Sequence, residues 1–194
     1  RNPWSGKLGL ERTFNFLYTG ILGLKHDPSI FILLADHFRE QKEVRVVIVS
    51  EGDWVNWLQK EAKKHKLSNL IFLDFQPSLD YPMVLASGDV LVSVLSPEAG
   101  QYSVPSKVLS YLCAQRPILL SVPMENLASK IILEAKAGLV APPDDIPDFL
   151  QKAENLYENQ DLRYNFGVSG REYAEKAFDI NRIIEKFKVI LTIN

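Results

Sequence analysis

Between residues 96 and 107 the chain sets one carboxylate, Glu98, beside Ala99 and Gly100, and follows them with Pro105-Ser106-Lys107. These types suit one chemistry. A lone carboxylate accepts charge-assisted hydrogen bonds from neighbouring hydroxyls. Small residues let a ligand approach the backbone closely. Proline suits a first helical turn, and the free amides of that turn can hold an anion. Lys107 then stands at the end of the helix dipole that disfavours a cation, a conflict that a phosphate lying between them resolves. A sugar joined to a diphosphate uses every part of this kit.

Other loops add to it. Residues 20–27 read Gly-Ile-Leu-Gly-Leu-Lys-His-Asp. Gly20 and Gly23 permit close backbone approach but lack the spacing of the dinucleotide fingerprint. Lys25 and His26 precede a helix. Lys25 either meets a bound phosphate or is simply solvated; local capping is the favoured reading of His26. In Glu51-Gly52-Asp53, Asp53 is expected to cap the next helix and Gly52 to serve the turn. The Asp144-Asp145 pair is expected to cap a later helix. His26, His37 and His65 are scattered, so no metal cluster and no nucleophilic triad can be assembled. Val108, Leu109, Leu112 and Cys113 read as core.

The elements that must position these residues alternate. Short apolar runs predict strands at 14–19, 44–50, 70–73, 89–93, 117–122 and 138–140. Longer periodic runs predict helices at 28–40, 54–65, 81–87, 106–114, 127–136 and 146–159. Strands such as Val44-Arg45-Val46-Val47-Ile48-Val49 are nearly continuously apolar, which implies burial on both faces. Strands alternating with helices imply right-handed βαβ units. The expected fold is α/β, a doubly wound, Rossmann-like, parallel sheet of six strands in the order 3-2-1-4-5-6. Its ligand crevice lies outside the carboxyl ends of the strands. Residues 161–194 read as C-terminal helices laid against the sheet. In the last of them Ile180, Ile183, Ile184, Phe187, Ile190 and Leu191 form a stripe, with Asp179 before it as cap. That stripe is expected to pack on this domain; the other reading is packing on a further domain.

Composition bounds the answer. The 194 residues are 46% hydrophobic and 24% charged, an ordinary balance for one sizeable core. A net charge of -2 gives a general nucleic-acid role no electrostatic support. The single cysteine, Cys113, excludes an internal disulfide. No apolar run approaches the roughly 20 residues that span a bilayer. The opening, without Met and loop-like, reads as one domain of a longer protein, with residues 1–13 as a lead-in.

Several segments together resemble the C-terminal, donor-binding half of a family-four retaining glycosyltransferase of the GT-B fold. They are Tyr18-Thr19-Gly20-Ile21-Leu22-Gly23, Ala86-Ser87-Gly88-Asp89-Val90, residues 105–111, Arg116-Pro117-Ile118-Leu119 and residues 138–145. The resemblance implies that Glu98 with Ala99 and Gly100 holds the donor sugar. It implies that Lys107 and Lys25 meet the diphosphate, with Gly20, Gly23, His26, Ser106 and Ser110 around the nucleotide. The chain departs from the family pattern in places. Ser110, or Ser106 on a different count, stands where a second glutamate grips the ribose. Ile21 stands where arginine is common, and Gln115 replaces a common glycine.

The resemblance further implies a nucleoside-diphosphate sugar as donor and no cofactor. The acceptor is a glycan or lipid-linked, held by an N-terminal domain absent from this chain, so the isolated domain is expected to be inactive. The process implied is bacterial cell-surface polysaccharide synthesis. The location implied is cytoplasmic, at the inner face of the membrane for a peripherally associated full-length protein. Two alternatives remain: a non-catalytic binding or structural module of the same fold, and half of a nucleotide-sugar epimerase.

Overall fold

The computed structural model describes residues 2–23 and 26–192. Six strands form one sheet: β1 (Phe14–Thr19), β2 (Val44–Val49), β3 (Leu70–Leu73), β4 (Val90–Val94), β5 (Ile118–Ser121) and β6 (Gly138–Ala141). Their order is β3-β2-β1-β4-β5-β6, and every neighbouring pair is parallel, as expected. The helices are α1 (Pro3–Lys7), α2 (Ser29–His37), α3 (Asp53–His65), α4 (Tyr81–Ala86), α5 (Pro97–Gly100), α6 (Lys107–Cys113), α7 (Leu127–Glu134), α8 (Ile146–Glu158), α9 (Gln160–Ala177) and α10 (Ile180–Thr192).

Alternation along the strands builds two cores. Phe16 and Tyr18 of β1 point to one face, where they meet Phe31 and Leu34 of α2, Leu58 of α3 and Phe149 of α8. Leu17 points to the other, with Val84 of α4, Val108 and Leu112 of α6, Ile132 of α7 and Ala174 of α9. Both faces are covered, which is why the strands read as continuous apolar runs. The order reverses between β1 and β4, and the chain opens a crevice there.

Four expectations need correction. The lead-in is not a loop. Asn2 and Ser5 form a reciprocal cap that starts α1, and Trp4 is buried against the α4 face. Asp53 does not cap α3. Gly52 takes the cap position and Asp53 is the first helical residue, where its charge still suits the dipole. Cys113 is exposed at the end of α6, and Leu109 is 45% exposed, because only Val108, Tyr111 and Leu112 of that helix turn inward. The stripe on α10 does not pack on this domain. Asp179 caps the helix through the amides of Asn181 and Arg182, yet Phe187 and Ile190 are 59% and 65% exposed. Of the two C-terminal helices, α9 lies against the body of the domain, along α6 and β6. Asp145 caps α8 through the Asp148 amide, as expected.

Candidate functional site

A cleft of about 710 Å³ opens at the carboxyl ends of β1 and β4. Gly20, Gly23, His26, Ser106, Lys107 and Ser110 line it together. The turn after β1 begins at Gly20, whose φ of +123° only glycine adopts without strain. A side chain there would also meet Lys107, since its Cβ would lie 3.1 Å from Nζ. The turn is held from β2: the Gly20 amide donates to the Val49 carbonyl, and the Leu22 amide donates to Ser50 Oγ.

Tyr18 organises the cationic side of the cleft. The Lys107 ammonium lies 3.6 Å from its ring centroid, a cation–π contact. The His26 ring meets the same ring edge-on at 6.2 Å. The phenol donates to the Ile21 carbonyl at 3.1 Å, and burial pushes its pKa far above the ordinary range. His26 is itself buried, and its Nδ1 lies 3.1 Å from both the amide nitrogen and the carbonyl oxygen of Gly23.

Tyr111 fixes the opposite wall to the first. Its buried hydroxyl accepts from the Thr19 amide at 3.1 Å and donates to the Val92 carbonyl at 3.3 Å. Burial raises its pKa well above that of a free phenol, against which the hydrogen bond to Thr19 pulls down. One hydroxyl thus joins α6 to the ends of β1 and β4. Burial raises the pKa of Tyr81, a shift that neighbouring Ser110 opposes. Ser110, or Ser106 on the other count, stands where the resemblance puts a ribose-gripping acid, and both line the cleft.

Not every candidate lies in this cleft. Lys25 falls outside the described residues. Glu98 is exposed on α5, a single turn capped by Ser96 through the Ala99 amide. Glu98, Ala99 and Gly100 do not line the cleft. Gly100 instead lines a neighbouring pocket with Tyr102, Pro123 and Asn126, and Asn126 Nδ2 donates to the carbonyls of Gly100 and Ser103. The helix carrying Lys107 has seven residues, fewer than two turns, so its dipole is short.

The structure adds residues that sequence reasoning missed. Phe75 and Gln76, after β3, and Tyr81 and Val84, on α4, complete the cleft wall. An aromatic two residues past a strand's carboxyl end was the available signal for Phe75. Nothing local marked Gln76. Among the described residues no cluster of three or more His, Cys, Asp or Glu could hold a metal ion. No described helix is long and apolar enough to cross a membrane.

The sequence matches the family model described as "Glycosyl transferases group 1" over residues 1–173. It is 26% identical over 179 residues to O-antigen chain mannosyltransferase C of Escherichia coli, covering 91% of this chain and 46% of that protein. The chain thus spans about half the length of that curated relative. The fold is similar to that of HepE from Anabaena, solved in complex with UDP, with a TM-score of 0.82 and 15% identity. That match covers 100% of this chain and 54% of HepE. It is also similar to the C-terminal domain of LpcC, a glycosyl transferase group 1 family protein from Francisella tularensis. There the TM-score is 0.70 at 15% identity, over 86% of this chain and 87% of that one.

Proposed function

We propose, from the premise that this chain belongs to the group 1 glycosyl transferases and has the fold of a C-terminal GT-B domain, that its cleft binds the nucleotide-sugar donor of a retaining glycosyltransferase. The observation that carries this reading is the Lys107 ammonium, held against the Gly20 turn where the strand order reverses. A glycine turn and a cation side by side are what a diphosphate needs. Phe75 and Gln76 suit the base at the far end. In catalysis, charge developing on the leaving diphosphate is stabilised by Lys107, aided by Lys25, with no metal or other cofactor taking part. Glu98 orients the sugar from the α5 turn. The acceptor, a glycan or lipid-linked sugar, belongs to a further domain of a longer protein. That protein works in the cytoplasm, at the membrane face, in cell-surface polysaccharide synthesis.

The E. coli relative named as an O-antigen mannosyltransferase and the UDP held by HepE support this substrate class. The test is calorimetric titration of the chain with a panel of nucleoside diphosphates and their sugars. At least one nucleoside diphosphate is expected to bind. No binding across the panel sinks the reading.

One observation favours a second reading, a binding module that has lost transfer. No acid stands at either candidate ribose position, Ser110 or Ser106, and Ile21, 65% exposed, stands where the family commonly has arginine. Donor binding without donor hydrolysis or transfer in the full-length protein would decide for it.

A further inference from the structure

Trp4 lies on α1, the short helix by which the chain enters the domain, and is buried. Its indole Nε1–H donates to Oε1 of Gln76 at 2.9 Å. Gln76 lines the cleft beside Phe75. An indole N–H can only donate, so the amide oxygen of Gln76 must face it. The amide nitrogen then faces away, where Nε2 donates to the Asp74 carbonyl at 2.8 Å. Chemistry alone orients this amide.

The same helix holds the cleft a second way. Asn2 Oδ1 accepts from the amides of Trp4 and Ser5, while Nδ2 donates to the Met83 carbonyl and to Ser87 Oγ, each at 2.9 Å. Met83 belongs to α4, whose Tyr81 and Val84 line the cleft. The entering helix is therefore fastened to both the loop and the helix that form the wall on the β3 side.

We propose that Trp4 is a positioning residue for the nucleoside end of the donor: it holds Gln76, and with it residues 74–77, as a preformed shelf. This rests on the donor reading of the cleft. Trp4 touches no substrate. It acts by sparing the ligand the ordering of that loop, a cost otherwise taken from affinity. Because the shelf lies at the base end, its effect is independent of the phosphates.

Trp4→Phe keeps a large ring in the core and removes only the donor. It is expected to weaken the unphosphorylated nucleoside and the nucleoside diphosphate by the same factor, about fivefold, the scale of one neutral hydrogen bond. Lys107→Ala in parallel should weaken the diphosphate alone. Gln76→Ala is expected to cost a similar factor, and the double variant no more than either, since the pair acts as a unit. In the unmutated chain the Trp4 indole N–H resonance should shift on adding nucleoside, with Trp54 and Trp57 little moved. That measurement holds even if Trp4→Phe folds poorly. A folded Trp4→Phe chain with unchanged nucleoside affinity, losses that multiply in the double variant, or an indole resonance indifferent to nucleoside overturns the proposal. If the unmutated chain binds no nucleoside or nucleotide, the donor reading falls and this proposal falls with it. If the unmutated chain binds and the variants match it, only the role of Trp4 is lost.

Discussion

Lys107 owes its place to its neighbours more than to its own helix. The Tyr18 ring beneath it and the bare Gly20 backbone beside it hold the ammonium buried at the edge of the cleft. Lys107→Ala should therefore weaken a nucleoside diphosphate by about tenfold or more, the value of one charge-assisted hydrogen bond, and leave the nucleoside unchanged. Calorimetry with both ligands checks this; equal losses would remove the phosphate role. Glu98 makes a complementary case. Its carboxylate is exposed and stands apart from the cleft wall, so the proposed sugar role requires the sugar to extend beyond the phosphates to reach it. Glu98→Gln should lower affinity for the matching nucleotide sugar by about ten- to a hundredfold, with the bare diphosphate little affected. A solvated, idle Glu98 would change neither. Lys107 was legible in the sequence because a lysine before a helix is an electrostatic oddity. Tyr18 beneath it was not, because it reads as one more apolar residue of a strand.

Between elements, Tyr111 decides whether the two cleft walls stay in register. Tyr111→Phe keeps the ring and leaves the Thr19 amide and the Val92 carbonyl without this partner. The expected cost is about 1–3 kcal/mol of stability, with a parallel loss of diphosphate affinity as the Gly20 turn loosens. Chemical denaturation and calorimetry on the same variant report both. At this scale the sequence was informative wherever a period carried the message. Strand order and parallel pairing followed from short apolar runs alternating with amphipathic ones. Three elements escaped; the single turn α5 is too short to carry any period. Helix α1 is five residues long and hydrophobic only at Trp4, too short for a period to emerge. Helix α10 showed its period plainly, yet a stripe states that something covers it and not what.

For the whole molecule, buried phenols set an alkaline limit. Burial raises the pKa of Tyr18, Tyr81 and Tyr111, while the unfolded chain titrates its tyrosines near pH 10. Above about pH 10 the unfolded state therefore holds fewer protons than the folded one, and stability falls as pH rises further. Below that pH the contribution is fully present. Phenolate absorbance should show the buried phenols of Tyr18 and Tyr111 ionising only as near-ultraviolet dichroism is lost. Ionisation of all tyrosines in one step, fold intact, would refute this. The uncovered face of α10 makes a separate forecast. Deleting residues 180–194 should shift the melting temperature little and reduce self-association in light scattering, since an apolar face of this kind favours association.

The hydrogen bond from the Thr19 amide to the Tyr111 hydroxyl joins residues 92 apart in the chain, and α6, which supplies that hydroxyl, leans on α9, later still. A chain emerging from the ribosome can pair β1 with β2 early, but the outer side of α6, which carries the far wall of the cleft, is not covered by α9 until about residue 177 has been made. Contacts so distant along the chain also slow folding. Nucleotide binding should then appear abruptly, once α9 has been made. A growing chain stalled before α9 would hold the sheet and lack the grip.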